Sequence, residues 1–367
     1  MKFSCERSVL SAAVAIAARA ASQRSPIPAL EGLLLTADGS LRITGYDLKK
    51  GVYTTVPADV SEPGAAVLNA KLLGDMVRCM PEGRLTVTTD GSTARIRCGK
   101  SEFSLAAGDV NDYPELPTID PEDTIMLPQS TLKKMISQTL FAVSDNESRP
   151  IYTGARFEIK DGVLTVIAVD GYRLALRREK VESVGEKDLA FIVPGAALAD
   201  VERLCADTDD VIRVTLGFRH IGFTLGETIL ITRRLEGDFL NWRKAVPEAF
   251  RYHMTLEREE LKSAADRVSL VVDERTKNPL RCRFEDGVVT LSCVTALGQA
   301  EDACLAEGTG GGLEIGFNSR YLIDALKAAP AQRIVVSIST GSSPCVITPE
   351  EGDGFIYMIL PVRLRTE

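Results

Sequence analysis

An internal repeat constrains this chain more than any other feature. Three segments share one plan: KFSCERSVLSAAVAIAARA leading to LEGLLLTADGSLRITGYDL, MLPQSTLKKMISQTLFAVS leading to YTGARFEIKDGVLTVIAVDGYRL, and YHMTLEREELKSAADRVSL leading to PLRCRFEDGVVTLSCVTAL. Each reads as a short strand, a helix and a hairpin. Apolar residues first recur at helical spacing and then alternate around Asp-Gly, the dipeptide suited to a two-residue hairpin turn. The turns Asp38-Gly39, Asp161-Gly162 and Asp286-Gly287 lie 123 and 125 residues apart.

The segments that follow repeat as well. VLNAKLLGDMVRCMPEGRLTVTTDG, FIVPGAALADVERLCADTDDVIRVTLG and LEIGFNSRYLIDALKAAPAQRIVVSIS each read as strand, helix, strand, and SEFSLAA, TILITRR and FIYMILPVRL end the three blocks. Helices are expected over 8–21, 70–80, 129–144, 195–206, 257–269 and 319–328. Leu132, Met135, Ile136, Thr139 and Leu140 form the buried face of the third. Leu72, Leu73, Met76, Val77 and Met80 form that of the second, and Leu322 and Leu326 that of the sixth. Asn69 and Ser319 occupy N-cap positions. The expected fold class is α+β, with three tandem copies of a two-helix, antiparallel-sheet domain over 1–122, 123–249 and 250–367. A repeated head-to-tail contact either spirals or closes into a ring, and closure removes exposed sheet edges.

The net charge is −8, which opposes phosphate binding unless cations are segregated. The six helix segments carry +3 between them, leaving −11 for the rest, a mild segregation onto the helices. None of the eight cysteines (Cys5, Cys79, Cys98, Cys205, Cys282, Cys293, Cys304 and Cys345) sits in a C-x-x-C pair. They read as reduced, partly buried thiols of a cytoplasmic protein. The Ala-rich run Val9–Ala21 is bounded by Glu6, Arg7 and Arg19 and reads as an amphipathic helix, not a secretory signal. No apolar stretch reaches the roughly 20 residues needed to span a bilayer.

A catalytic constellation does not emerge. His220 and His253 lack metal-ligand spacing, and His220 alternates with apolar residues as a strand residue does. The GTGGG at 308–312 precedes a strand and reads as a loop. Asp207, Asp209 and Asp210 lack the Gly and terminal Glu of a calcium loop. Asp170 and Arg173 read as a structural ion pair or turn. No cofactor or metal is expected, and the chain is expected not to be an enzyme.

MKFSCER, the segment Arg24-Ser-Pro-Ile-Pro28, VDGYRL, EIGFNSRYL and the terminal LPVRL, in order along the whole chain, resemble the beta sliding clamp family of bacterial DNA polymerase III. The resemblance implies a head-to-tail homodimer forming a six-domain ring, with helices toward the hole and sheets at the rim. It implies a processivity factor that encircles double-stranded DNA without reading sequence and tethers the replicative DNA polymerase, the clamp loader and other clamp-binding repair polymerases. A paralogous clamp dedicated to repair or translesion polymerases is the alternative.

The resemblance also carries residues. DNA contacts map onto Arg24, Asn146 and Arg149, with Pro150 and Ile151 where the family often has aromatics. A groove for a short apolar peptide maps onto Tyr152, Val169, Gly171, Tyr172, Arg173, Leu174, Leu240, Lys244, Ala245, Asn318 and Tyr321. It continues through Met358, Ile359, Leu360, Pro361, Val362, Arg363 and Leu364. In it, apolar walls bury an anchor while Arg173, Asn318 and Arg363 orient the peptide. Tyr172, Lys244 and Leu240 stand where histidine, arginine and proline are frequent, and the chain continues as Arg365-Thr366-Glu367. The dimer contact sets Phe103 and Leu105 against Leu270 and Val271.

Overall fold

The computed structural model describes residues 1–181, 188–272 and 278–364; the extension Arg365-Thr366-Glu367 lies outside them. The helices are α1 (Arg7–Ala17), α2 (Ala70–Cys79), α3 (Gln129–Ser137), α4 (Gly195–Leu204), α5 (Trp242–Ala245), α6 (Arg258–Ser269) and α7 (Ser319–Ala328). Among the described residues, six of these seven fall within or overlap the expected segments. The extra helix, α5, is one turn long, too short for a periodic signal.

Three expectations about helix faces and ends need correction. Leu72 is 49% exposed, whereas Leu73, Val77 and Met80 are buried. The buried stripe of α2 follows i, i+4, i+7, and Leu72 lies about 100° round from it. The cap of α7 is Asn318, whose side chain accepts from the Arg320 amide at 3.1 Å, so Ser319 is already the first helical residue. Asn69 caps α2 as expected, accepting from the Leu72 amide at 3.0 Å. The expected 129–144 helix divides. The Thr139 hydroxyl donates back to the Met135 carbonyl at 2.8 Å, and a separate 3₁₀ turn covers Leu140–Ala142. Such back-bonding offers the chain an alternative to the helical ladder.

The chain forms two compact units, Met1–Ser130 with Asp200–Arg234, and Thr131–Ala199 with Leu235–Glu367. The first holds a 13-stranded antiparallel sheet. The second holds sheets of nine and four strands. All three Asp-Gly hairpins form, and at the second Asp161 and Gly162 have φ of 51° and 73°. Positive φ at both central residues is the turn geometry whose twist suits a two-residue hairpin.

Within the first unit, the strand Lys50–Val56 of the first repeat pairs with Thr228–Arg233 of the second, Leu230 opposite Val52. Within the second unit, Arg173–Lys180 of the second repeat pairs with Phe355–Ile359 of the third, Leu174 opposite Met358. Successive repeats are thus joined by one and the same edge-to-edge pairing, used twice.

Phe3, Leu10, Val14, Leu33, Leu35, Ile43, Leu68, Leu73, Val77 and Ile96 fill the first repeat's core between α1, α2 and the sheet strands. No cysteine is in a disulfide, and all but Cys79 are buried. Burial pushes the Cys5 and Cys304 thiols up to about 11 and that of Cys345 to about 12, so they stay protonated at neutral pH.

Candidate functional site

The expected groove residues surround the junction of Arg173–Lys180 with Phe355–Ile359. Val169, Leu174 and Met358 are buried together with Ile167, Leu176, Ile192, Phe239, Trp242 and Val346, and Tyr152 and Leu240 pack against them. Tyr152 meets Phe239 edge to face, centroids 5.5 Å apart. After Ile359, which is buried, the chain leaves the sheet but stays pinned. The Leu360 amide donates to the Tyr172 carbonyl at 2.8 Å, and the Val362 amide to the Gly316 carbonyl at 2.7 Å. Gly316 permits this second bond, because a Cβ there would stand 2.7 Å from the Val362 carbonyl oxygen. Pro361 and Leu364 are half-buried, while Val362 and Arg363 are exposed.

Above this floor Tyr172 is 62% exposed and stacks on Tyr321, centroids 6.3 Å apart. An apolar bed beside two stacked phenols, one of them open to solvent, suits an apolar side chain with a polar edge. Lys244 is exposed and Ala245 half-buried on α5, whose Trp242 is fixed by an indole hydrogen bond to Glu158 at 3.2 Å.

Arg173 is not a free hydrogen-bond donor. It is 8% exposed, with Nε 2.9 Å from Asp170 and Nη1 2.7 Å from Asp324 on α7. Its guanidinium lies 4.3 Å from the Tyr321 ring centroid. Burial, then the Asp170 charge, raises the Tyr321 phenol pKa. The Asp170–Arg173 pairing read from the sequence is present, and it builds the turn: Asp170 Oδ1 accepts from the Tyr172 and Arg173 amides at 2.9 and 3.0 Å, with Gly171 at φ 94°. Asn318 is likewise engaged in capping α7.

The first unit repeats this arrangement. Asp47 Oδ1 accepts from the Lys49 and Lys50 amides at 2.9 and 2.7 Å, Leu48 takes a φ of 71°, and Lys50 pairs with Asp200 on α4. Sequence reasoning missed the counter-ions Asp200 and Asp324. A signal was there, since Asp75, Asp200 and Asp324 share one position in the repeated second helices.

Arg24 is exposed on the loop after α1. Asn146 and Arg149 are exposed on a turn where Asn146 Oδ1 accepts from the Ser148 amide at 3.0 Å. Asp145 and Glu147 share that turn, so the cation available to a phosphate there is Arg149 alone. Leu270 is 83% exposed, Val271 and Phe103 are half-buried, and Leu105 is buried in the first repeat's core. Among the described residues there is no group of His, Cys, Asp and Glu able to hold a metal.

Family models for the DNA polymerase III beta subunit match in order along the chain: the N-terminal domain at residues 1–117, the central domain at 126–241 and the C-terminal domain at 243–363. A beta sliding clamp of Synechocystis is 31% identical, with 99% of this chain and 100% of that protein covered. One from Staphylococcus aureus is 31% identical with 99% of each covered. Among solved structures, the DNA polymerase sliding clamp of Bacillus subtilis aligns with a TM-score of 0.95 at 27% identity over 100% of both chains. A DNA polymerase III beta subunit structure from Eubacterium rectale aligns at 0.94 and 28% over 99% of this chain and 100% of that one.

Proposed function

The chain belongs to the DNA polymerase III beta subunit family, the non-catalytic sliding clamps of DNA replication, and from that premise we propose that two copies close head to tail around duplex DNA. The relatives' names support the main replicative clamp over a form dedicated to repair polymerases. The observation that carries the ring is the junction used twice in the chain. By repeat position, Gly298–Leu305 of the third repeat corresponds to Lys50–Val56 and Arg173–Lys180. Ser101–Gly108 of the first corresponds to Thr228–Arg233 and Phe355–Ile359. Among the described residues Gly298–Leu305 pairs on one side only, with Val288–Thr295. Among the same residues Ser101–Ala106 likewise pairs only with Thr93–Cys98. Each is half of the junction already satisfied twice, and each is an open edge unless another copy supplies the other half.

Arg24, Asn146 and Arg149 contact the enclosed DNA backbone, and the boundaries after 122 and 249 divide the three clamp domains. Enclosure and not contact strength holds an acidic protein on an acidic polymer. After loading onto nicked circular duplex, the protein is expected to stay with the DNA in high salt and to run off once the circle is cut. Equal loss from both forms would refute enclosure, because open electrostatic contacts weaken with salt on either.

The groove over Leu174 and Met358 takes a short apolar peptide, the shared anchor of the replicative polymerase, the clamp loader and repair polymerases. Tyr172→Ala, or truncation after Ile359, is expected to raise the Kd of a labelled peptide with Leu and Phe anchors by about tenfold or more, ~1.4 kcal/mol. The dimer mass should not change. Wild-type affinity in both variants would remove the groove from this role. With eight cysteines outside any disulfide and no described helix long enough to cross a membrane, a reducing cytoplasm is the compartment we assign.

A further inference from the structure

One cationic surface in the first unit is used by nothing described so far. Three strand ends converge on it. His220 lies opposite Arg233 in the sheet, the Arg233 amide donates to the Lys49 carbonyl at 3.2 Å, and the Arg234 amide donates to the Arg219 carbonyl at 3.0 Å. The turn between them, closed by the Gly217 amide on the His220 carbonyl at 2.9 Å, presents Phe218, 69% exposed. The Arg219 guanidinium lies 6.0 Å from its ring centroid. Among the described residues, Lys49, Arg219, Arg233 and Arg234 form no ion pair. Asp47 is spent on two turn amides, and Asp120, on the segment against Gly217, pairs with none of the four. Burial, then Arg233 and Arg219, lowers the His220 pKa, as crowding by cations requires.

We propose that this surface, built from Lys49, Phe218, Arg219, Arg233 and Arg234, binds single-stranded DNA, its phosphates on the cations and one unstacked base on Phe218. Unpaired cations on a chain of net charge −8 call for an anionic occupant. Phe218 decides its kind. Exposed on its turn, it offers an aromatic face and no hydrogen-bond donor, so it has nothing to give the carboxylates of an acidic peptide. In a duplex the bases already stack on each other, whereas an unpaired base is free to stack on an aromatic ring.

The test uses the full-length protein and a labelled oligothymidylate of roughly 15 nucleotides, read by fluorescence anisotropy. Phe218→Ala is expected to weaken binding roughly tenfold. Arg219→Ser with Arg233→Ser is expected to weaken it further and to flatten the salt dependence by about one unit of slope. These side chains are solvent-exposed, so melting temperatures should match wild type, and retention on nicked circular duplex is a separate readout expected to be unchanged. Wild-type affinity in either variant overturns the proposal. So does oligonucleotide binding that depends on Arg24 and Arg149 but not on Phe218. A polyglutamate peptide that binds more tightly than the oligonucleotide and ignores Phe218→Ala would reassign the surface to an acidic protein partner.

Discussion

Replacing Leu270 and Val271 together with aspartate is expected to leave a monomer of 39.7 kDa where the proposed ring has the wild type run at twice that mass. Leu270 is the most exposed large apolar side chain among the described residues, and it follows directly on α6. Val271 is tied to the hairpin of the open edge, its carbonyl accepting from the Thr295 hydroxyl at 2.8 Å. Two carboxylates buried at a contact would each go uncompensated, at a cost of several kcal/mol per ion. That exceeds what one edge-strand junction can supply, so both mass and retention on circular DNA should fall together. Sedimentation at micromolar concentration decides it: a stable dimer of the double variant would move the contact elsewhere. In the proposed contact Leu105, buried in the first repeat's core, and Phe103, half-buried against that same core, take part only indirectly, which leaves the strand backbone as the facing group.

The second large effect is expected at Arg173. Arg173→Ala strips the buried side-chain partner from Asp170 and Asp324 and removes the cation beneath Tyr321. Breaking a buried pair from one side costs about 3–5 kcal/mol. Asp324 is partly exposed, so roughly 2–3 kcal/mol is the fair expectation, a fall of roughly 5 °C or more in melting temperature. Arg173→Lys should recover little, since one ammonium cannot bridge two carboxylates as the planar fork does. Adding Asp324→Asn to Arg173→Ala should restore part of the loss, because one of the two stranded charges is then gone. Peptide affinity should fall in Arg173→Ala through the displaced Tyr172–Tyr321 stack and not through a lost hydrogen bond. Unchanged melting would show that the pair is dispensable.

Much of the fold is legible in the residues taken in order. The Asp-Gly dipeptides mark the hairpins, because positive φ at a two-residue turn is a local requirement. The helices show in their 3.6-residue spacing, and a 123- to 125-residue repeat of both signals implies three like domains. Those are properties of short windows. The misses are also physical. Leu72 belongs to the apolar stretch of α2 but lies off the stripe that the sheet covers. Thr139 ends a helix that periodicity would carry on. Asn318 and not Ser319 caps α7, a distinction that rests on a single side-chain bond.

The site divides along the same line. That VDGYRL forms a turn with an Asp-Arg pair follows from the residues themselves. That Arg173 also reaches Asp324, 151 residues further along, depends on the antiparallel pairing of Arg173–Lys180 with Phe355–Ile359. The convergence of Lys49, Arg219 and Arg233 around Phe218 likewise exists only once three strands are in register. Local order followed from the sequence because it costs few residues and short-range bonds. Which distant edges meet, and so which charges and rings share a surface, was decided by the tertiary structure, because strand pairing brings together groups that no window along the chain contains.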